Sequence, residues 1–266
     1  MEMYIEKGEM GMENETVIIT GGSSGMGKYM AKRFVQAGAK VMITGRTEQK
    51  LAEAVKEVEK AGDGKAAYKV MDVRKPEHVS EMLEETVRIF GSVDHLVNNA
   101  AGNFLCRAEE LSVNGWNAVI DIVLNGSFYC SREIGSYWIA NKQKGNIVNM
   151  VATYAWNAGA GVIHSAAAKA GVLSMTRTLA VEWGSSYGIR VNAIAPGPIE
   201  RTGGADKLFE SEQAAQKTVE SVPLQRLGKP EEIAELAHFL CSRHAAYING
   251  EVITMDGGQW LNKRPF

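Results

Sequence analysis

The sequence has few cysteines, no long apolar run and no strong excess of either charge, and each shortage excludes a class of protein. Its cysteines, Cys106, Cys130 and Cys241, are odd in number and far apart, so they fit neither a disulfide framework nor a zinc site. We therefore expect free thiols in a reducing compartment and no bound metal. No apolar stretch approaches the ~18 residues that a membrane-spanning helix needs. A formal net charge of −2 gives no reason to expect nucleic acid or an anionic membrane as a partner.

The beginning of the chain also lacks the apolar segment of a secretory signal. Residues 1–14 are rich in glutamate, and we interpret them as a flexible N-terminal extension. The rest, residues 15–266, is predicted to be one folded domain, because 45% hydrophobic residues can form a large core and α/β folds of this length are often single domains. A cytoplasmic location follows from the missing signal and the cysteine usage.

Apolar, β-branched runs alternate with amphipathic helical patterns along the whole domain. The predicted strands are 16–20, 40–44, 66–70, 95–99, 145–150, 190–195 and 252–255. The predicted helical segments are 29–37, 48–61, 76–90, 114–139, 164–183 and 231–241, and 201–222 has helical spacing that would suit a lid. This alternation is typical of an α/β fold with a Rossmann-type, doubly wound parallel sheet and helices on both faces.

A glycine-rich turn follows the first predicted strand. Gly21, Gly25 and Gly27 allow backbone N–H groups to approach a pyrophosphate at the start of a helix, although their spacing differs from G-x-G-x-x-G. The second strand runs into Gly45, Arg46 and Thr47, with an arginine and no acidic residue among the three. An arginine there suits the 2′-phosphate of NADPH, whereas an acidic residue would hold the ribose of NAD. Asp72, after the third strand, is a plausible contact of the adenine side.

The segment 154–169 contains a phenol, a hydroxyl and an ammonium group. Tyr154 lies on a predicted loop, and Ser165 and Lys169 lie on the helix that follows. A tyrosine beside a lysine and a nicotinamide can handle an oxyanion or a proton in hydride chemistry. Taken alone, Tyr154 could be a packing residue and Ser165 a small residue at a helix start. We interpret His164 as structural.

In order and spacing, these motifs resemble the short-chain dehydrogenase/reductase family. The segments that carry the resemblance are TGGSSGMG at 20–27, NNA at 98–100, Asn125, Lys169 and PGPI at 196–199. A typical member has a tyrosine four residues before the lysine and a serine about thirteen residues earlier. Those positions hold Ser165 and Ala152 here. The usual proton relay for a carbonyl is therefore missing, so the protein is either not a ketoreductase or not active.

Further segments resemble the 2,4-dienoyl-CoA reductase branch of that family. They are NNAAGNF at 98–104, DIVLNG at 121–126, HSAAAKAGV at 164–172 and AVEWG at 180–184, together with the spacing from Tyr154 to Lys169. The resemblance implies NADPH-dependent reduction of 2,4-dienoyl-CoA to 3-enoyl-CoA in the β-oxidation of unsaturated fatty acids. It also implies a homotetramer.

The same resemblance implies a set of site residues. The implied catalytic residues are Tyr154, Lys169, Asn103, Ser165 and Asn125. The implied cofactor contacts are Gly21, Ser23, Ser24, Gly25, Met26, Gly27, Arg46, Asp72, Val73, Asn99, Ala100, Lys169, Pro196, Gly197 and Ile199. The implied CoA contacts are Arg74, Phe104, Ser112 and Lys207, of which the two cations could equally be solvated surface charges.

In this reading each catalytic group has a role. Tyr154 and Asn103 would donate to the oxygen of the dienolate, and Asn125 would order a water chain. Ser165 would help to orient the thioester or the nicotinamide. Lys169 would bind the nicotinamide ribose and, by its charge, favour tyrosinate character in Tyr154. Two alternatives stay open: another short-chain oxidoreductase that acts on a carbonyl, and a non-catalytic NADPH-binding regulator. Turnover of a ketone would support the first, and tight NADPH binding without turnover the second.

Overall fold

Seven parallel strands form one sheet in the order β3-β2-β1-β4-β5-β6-β7. The computed structural model describes residues 11–202 and 212–262. The strands are β1 (Thr16–Ile19), β2 (Lys40–Gly45), β3 (Lys65–Val70), β4 (His95–Asn98), β5 (Asn146–Met150), β6 (Arg190–Pro196) and β7 (Val252–Met255). The doubly wound α/β fold predicted from the sequence is thereby confirmed. Each predicted strand is present within one or two residues of its predicted bounds.

Helices cover both faces of this sheet. They are α1 (Gly25–Gln36), α2 (Glu48–Glu59), α3 (Pro76–Phe90), α4 (Val113–Ile120), α5 (Gly126–Ala140), α6 (Ile163–Tyr187), α7 (Glu212–Ser221) and α8 (Pro230–Cys241). The core on one face draws on α1, α2 and α8, and the core on the other draws on α3 and α5. The segment 114–139, predicted as one or two helices, is two helices joined by a π-helical turn, Asp121–Asn125.

Local sequence explains where several elements begin and end. All residues of β1, β4 and β5 are buried, as expected for central parallel strands, which are covered on both faces. Pro76 occupies the first turn of α3, and Gly91 ends it with a φ of 90°, a conformation that glycine adopts without steric cost. The helix α1 begins at Gly25 instead of the predicted residue 29, because its glycine-rich start carries no apolar periodicity.

The folded core begins earlier than the sequence predicts. Met12, inside the proposed extension 1–14, is 1% exposed, and its backbone N–H donates to the carbonyl of Ala37 at 2.7 Å. A single methionine among polar residues gives no periodic pattern, so this contact was not predictable. The extension up to residue 10, Lys207 and residues 203–211 of the predicted lid lie outside the described residues. No helix in the described part of the chain is long and apolar enough to cross a membrane.

An ion pair lies at the amino ends of the strands. The His95 Nε2 atom is 2.7 Å from the Glu15 carboxylate, and His95 is buried. Burial lowers the pKa of His95, but the neighbouring Cys241 and Glu15 raise it by more, to about 10. This edge of the sheet therefore holds a buried cation, paired with Glu15.

The topology places the functional segments at the opposite edge. The strand order reverses between β1 and β4, and in such sheets ligands bind outside the carboxyl ends of the strands at that point. All seven strands are parallel, so the segments that follow them share one edge. The predicted site residues that follow strands are therefore brought to the same side of the sheet.

Candidate active site

The turn between β1 and α1 has the shape of a pyrophosphate cradle. Gly21 and Gly25 have φ values of 68° and 50°, which glycine adopts readily, and a Cβ on Gly27 would overlap the carbonyl oxygen of Gly21. Ser24 precedes the helix but makes no capping hydrogen bond, so the first-turn N–H groups keep their capacity to donate to an anion. These residues fit the pyrophosphate of a dinucleotide. The Met26 side chain packs against the core, which leaves its backbone for such a contact.

The segment after β4 supports this turn. The Asn99 Nδ2 atom donates to the carbonyls of Thr20 at 2.9 Å and Gly21 at 3.1 Å. The backbone N–H of Ala100 donates to the Thr20 hydroxyl at 3.0 Å. The side chain of Asn99, predicted as a cofactor contact, thus holds the shape of the glycine turn.

Asn98, the first residue of the same motif, faces the core. It is 3% exposed, and its Nδ2 atom donates to Asn149 Oδ1 at 2.8 Å and to Ser131 Oγ at 2.9 Å. Asn149 in turn donates to Thr176 Oγ1 at 2.9 Å. This buried network joins β4 and β5 to α5 and α6, and sequence reasoning missed it because isolated polar residues in apolar segments do not reveal their partners.

Two cations and one carboxylate lie after β2 and β3. Asp72 accepts from Arg74 Nε at 2.9 Å and from Nη2 at 2.5 Å. The hydrogen bond from Arg74 is the main cause that lowers the pKa of Asp72, and the charge of Arg46 adds to it. Arg46 is exposed, and the Ser23 Oγ atom lies 3.6 Å from where a Cβ on Gly45 would be. The site beside β2 is therefore positively charged and suits a phosphate.

The side chain of Val73, also predicted on the adenine side, points into the core. It is 8% exposed, and a Cβ on Gly126 would lie 2.7 Å from its Cγ2 atom. The side chain packs against α5, so it is mainly the Val73 backbone that remains for a contact with adenine.

Tyr154, Ser165 and Lys169 lie near the end of β5. Tyr154 lies on a 3-10 turn, Thr153–Ala155, directly after that strand. Its Oη atom is 3.1 Å from Ser165 Oγ, and Ser165 is 1% exposed. The Lys169 ammonium is buried and donates to the carbonyl of Met150 at 2.5 Å. The loop tyrosine thus reaches back to the helix position that a tyrosine occupies in typical family members.

Burial decides the protonation of these groups. It lowers the pKa of Lys169 from 10.5 to about 8, because the charged form loses its hydration. Burial also raises the pKa of Tyr154, and the hydrogen bond with Ser165 opposes that rise only in part. The raised pKa of Tyr154 opposes the tyrosinate-like character expected for it, and the effect of Lys169 on Tyr154 stays a prediction. Tyr154 is a protonated phenol that can donate a hydrogen bond.

The segment that carries Asn103 and Phe104 packs against the start of α6. The Phe104 ring lies 4.5 Å from the ring of His164, between centroids, and Cys106 N donates to the carbonyl of Gly161 at 2.9 Å. The Asn103 Oδ1 atom accepts from the backbone N–H of Phe104 at 2.9 Å. His164 is fully buried, and burial lowers its pKa. A neutral imidazole that supports Phe104 agrees with the structural interpretation of His164.

Asn125 ends the π-helical turn between α4 and α5. Its Nδ2 atom donates to Asp121 Oδ1 at 2.8 Å. The Leu124 side chain lies 2.9 Å from where a Cβ on Gly171 would be, so the turn packs directly on α6. Short π-helical segments are frequent at functional sites. Sequence reasoning missed both the turn and the role of Asp121, because one inserted residue leaves the apolar pattern nearly unchanged.

The loop after β6 lies over the glycine-rich turn. Gly197 N donates to Met255 O at 3.0 Å, and a Cβ on Gly197 would lie 2.5 Å from Asp256 Cβ. Pro196 ends β6, and Ile199 is 4% exposed. The Thr202 side chain lies 3.8 Å from where a Cβ on Gly25 would be. Thr202 is a candidate cofactor residue that sequence reasoning missed.

The described CoA-side residues already have partners within the chain. Ser112 caps α4, and its Oγ atom accepts from Gly115 N at 3.0 Å. Arg74 pairs with Asp72, and Phe104 packs on His164. Their roles toward CoA stay predictions. Within residues 11–202 and 212–262, no group of three or more histidine, cysteine, aspartate and glutamate residues is arranged to hold a metal ion.

Known proteins are similar to nearly the whole chain. The family model described as enoyl-(acyl carrier protein) reductase matches residues 21–259. The probable 2,4-dienoyl-CoA reductase of Bacillus subtilis (strain 168), named as (2E)-enoyl-CoA-producing, is 65% identical over 255 residues, which cover 96% of this chain and 100% of the relative. The peroxisomal 2,4-dienoyl-CoA reductase of Danio rerio, named as (3E)-enoyl-CoA-producing, is 40% identical over 250 residues, which cover 94% and 83%.

A solved structure extends this likeness to the fold. The crystal structure of a short chain dehydrogenase from Bacillus anthracis is 63% identical, with a TM-score of 0.88 over 95% of this chain and 99% of that one. Sequence and fold agree over the same residues, and the chain therefore belongs to the short-chain dehydrogenase/reductase family of oxidoreductases.

Proposed function

We propose that this protein reduces 2,4-dienoyl-CoA thioesters with NADPH, a step in the β-oxidation of unsaturated fatty acids. The observation that carries the proposal is the contact of 3.1 Å between Tyr154 Oη and Ser165 Oγ. The phenol comes from the turn after β5, and the helix position that holds the tyrosine of a ketoreductase carries a serine. The similarity to two proteins named 2,4-dienoyl-CoA reductase supports the same substrate class.

The displaced tyrosine suits a substrate in which hydride acceptor and oxygen lie far apart. In a ketone the hydride reaches the carbonyl carbon itself. In a 2,4-dienoyl thioester it reaches C5, and the charge moves to the thioester oxygen, which lies five bonds and about 6 Å from C5. NADPH, when bound, supplies the hydride. A hydrogen-bond donor carried on the loop can reach that distant oxygen, where a donor on the helix would stay beside the nicotinamide.

The protonation of the site fits this role. The pKa of Tyr154 is raised by burial, so its hydroxyl donates to the dienolate oxygen, and Ser165 holds the phenol in place. Asn103 is the second proposed donor. Donors that are oriented in advance toward an oxyanion contribute about 3–4 kcal/mol each to the transition state. Lys169 is proposed to bind the nicotinamide ribose, and Asn125 to order water.

The product depends on which carbon takes the proton. Protonation at C2 gives a 3-enoyl-CoA and protonation at C4 a 2-enoyl-CoA, and the names of the two relatives divide between these products. We propose C2, because it adjoins the carbon whose oxygen Tyr154 would hold. The test is turnover of a 2,4-dienoyl-CoA in deuterium oxide, followed by NMR of the product. Deuterium at C2 with a double bond at C3 supports the proposal, and deuterium at C4 contradicts the proposed protonation site.

The coenzyme preference is proposed to depend on Arg46. It is exposed beside Ser23 at the end of β2, and Arg74 already neutralises the nearby Asp72. Replacement of Arg46 by alanine should lower kcat/KM for NADPH about 10- to 100-fold, because one hydrogen bond to a charged group is lost. The value for NADH should stay unchanged. The control is Arg88→Ala, another exposed cation, which pairs with Glu85 on α3. Equal losses with both coenzymes would contradict this role.

The two alternatives lack support at the site. A ketoreductase needs a tyrosine at 165 and a hydroxyl at 152, and those residues are a serine and an alanine. A non-catalytic regulator would not need the buried Lys169, because burial of the ammonium removes its hydration and is unfavourable. Ketone turnover would restore the first alternative, and NADPH binding without turnover of any enoyl or keto thioester would restore the second.

The assembly is proposed to be a homotetramer. Apolar side chains on the outer faces of α5 and α6 are exposed in the single chain, among them Phe128 at 46% and Val181 at 74%. Exposed apolar side chains on these two helices suit burial in an interface. Light scattering should give four times the chain mass of 28.9 kDa, and a monomer would contradict the proposal. The cytoplasmic location stays a prediction.

A further inference from the structure

Arg201 has a strained backbone at the end of the loop that covers the glycine-rich turn. Its φ is 54°, in the left-handed region that residues with a side chain rarely adopt. No glycine relieves the strain at this position, so the surrounding contacts must hold it. Such conformations persist where several contacts fix them and are frequent in ligand clamps.

The contacts of Arg201 join two helices to the loop. Its Nη1 atom donates to Tyr29 Oη at 2.8 Å, and its guanidinium lies over the Tyr29 ring at 5.0 Å from the centroid. Its Nη2 atom pairs with Glu231 Oε2 at 2.5 Å. Tyr29 belongs to α1, which begins at the glycine turn, and Glu231 belongs to the first turn of α8. The side chain therefore bridges α1, α8 and the loop.

The bridge fixes the residues that lie on the cofactor turn. Thr202, the next residue, places its side chain beside Gly25, and its hydroxyl donates to Ile199 O at 2.8 Å. The backbone of Glu200 donates to Gly228 O at 3.0 Å, which attaches the middle of the loop to the start of α8. A displacement of Arg201 would move Thr202 away from Gly25 and uncover the turn.

We propose that Arg201 is a positioning residue, a latch that holds the loop from Pro196 to Thr202 over the coenzyme pyrophosphate and sets the rate of NADPH release. This inference rests on the proposed NADPH dependence. The latch is suited to repeated opening: the Arg201 and Glu231 side chains are 45% and 50% exposed. Exposed ion pairs are individually weak and are screened by salt, so NADPH release should also accelerate with ionic strength.

The test is the NADPH dissociation rate, followed by the fluorescence of the bound nicotinamide after displacement with excess NADP⁺. The Arg201→Gln variant should release NADPH about three to ten times faster than the parent, because the substitution removes a few exposed contacts that are each weak. The matched control is Arg33→Gln. Arg33 pairs with Glu235 at 2.8 Å and so also bridges α1 and α8, but it does not contact the loop. Its release rate should equal that of the parent.

Steady-state kinetics separates a latch from a residue that acts on the chemical step. The KM for NADPH should rise in Arg201→Gln, and kcat should not fall. An unchanged release rate, or a lower kcat at constant KM, would overturn the proposal. If Arg201→Gln does not fold, Tyr29→Phe removes one hydrogen bond and keeps the ring, and it must still accelerate release. If the parent protein does not bind NADPH, the proposed function fails. If the parent protein binds NADPH and the variants release it at the parental rate, the latch proposal alone fails.

Discussion

The replacement of Tyr154 by phenylalanine removes one oxygen atom and leaves the packing of the ring unchanged. Within residues 11–202 and 212–262, the partner of this oxygen is Ser165 Oγ at 3.1 Å. The turn Thr153–Ala155 and the helix α6 do not depend on it, so the variant should fold. The hydroxyl is protonated because burial raises its pKa, and the account gives it one task, donation to the dienolate oxygen.

The loss of that donor should lower kcat by 10²–10³, the value of about 2.7–4 kcal/mol for one donor in an oxyanion site. The assay is the oxidation of NADPH by a 2,4-dienoyl-CoA under saturating conditions, with the dissociation constant of NADPH measured separately. That constant should stay within about twofold, because Tyr154 is not assigned to coenzyme binding. Removal of Ser165 Oγ in Ser165→Ala should have a smaller effect, about 3- to 10-fold in kcat, since one neutral hydrogen bond contributes about 1 kcal/mol.

The matched control is Tyr247→Phe, which removes the same atom from a fully exposed tyrosine. It should leave kcat and KM unchanged. A Tyr154→Phe variant with parental kcat would refute the assignment of the oxyanion donor. A loss of equal size in Ser165→Ala would also contradict the reasoning, because it would move the main donor from the phenol to the serine.

Three further predictions concern stability and coenzyme binding. Lys169→Met should be inactive yet more stable than the parent at pH 7, by up to about 3 kcal/mol, in urea unfolding. The folded pKa of about 8 lies below 10.5, so the charge opposes folding below pH 8, and the gain should vanish as pH rises to 10.5. Glu15→Gln should lose stability most below pH 6.5 and least near pH 10, because the folded pKa of His95 is raised to about 10. Gly27→Ala should lose about 1–3 kcal/mol and bind NADPH at least tenfold more weakly by calorimetry, since a Cβ would overlap Gly21.

Each of these has a contradicting result. A Lys169→Met protein that is less stable than the parent at pH 7 would show that the ammonium is not desolvated as the structure indicates. A pH-independent effect of Glu15→Gln would show that His95 is not held as a cation by Glu15. A Gly27→Ala protein with parental NADPH affinity would show that the cofactor does not approach this turn.

The sheet and the position of the site were predictable because both depend on local patterns. Apolar β-branched runs mark buried parallel strands whatever their partners are. Pro76 and Gly91 mark the bounds of α3, so that helix is found where it was predicted, as is β7 at Val252–Met255. The glycine turn and Asn99 each follow a strand, and Lys169 lies near the start of α6. The topology of a parallel sheet brings such residues to one edge.

Contacts between distant side chains were not predictable in the same way. The sequence indicated that both Tyr154 and Ser165 matter, but only the fold shows that their hydroxyls meet. The pKa of Tyr154 is raised by its burial, which no local pattern reveals.

Backbone conformation was the other limit. Met12 joins the core through a contact with α1, and the left-handed backbone of Arg201 is set by partners on α1 and α8. A methionine near the start of the chain does not by itself indicate burial, and an arginine does not by itself favour a left-handed backbone. These features are specified by tertiary contacts, which override the local preference of the chain.

The most direct test of the account compares two substrates of the parent protein at equal concentration. NADPH oxidation would be measured with a 2,4-dienoyl-CoA and with acetoacetyl-CoA, whose ketone is the substrate of an ordinary member of the family. The account predicts fast oxidation with the dienoyl thioester and none above background with the ketone, since the tyrosine stands on the loop and Ser165 on the helix. Comparable or faster turnover of acetoacetyl-CoA would contradict it.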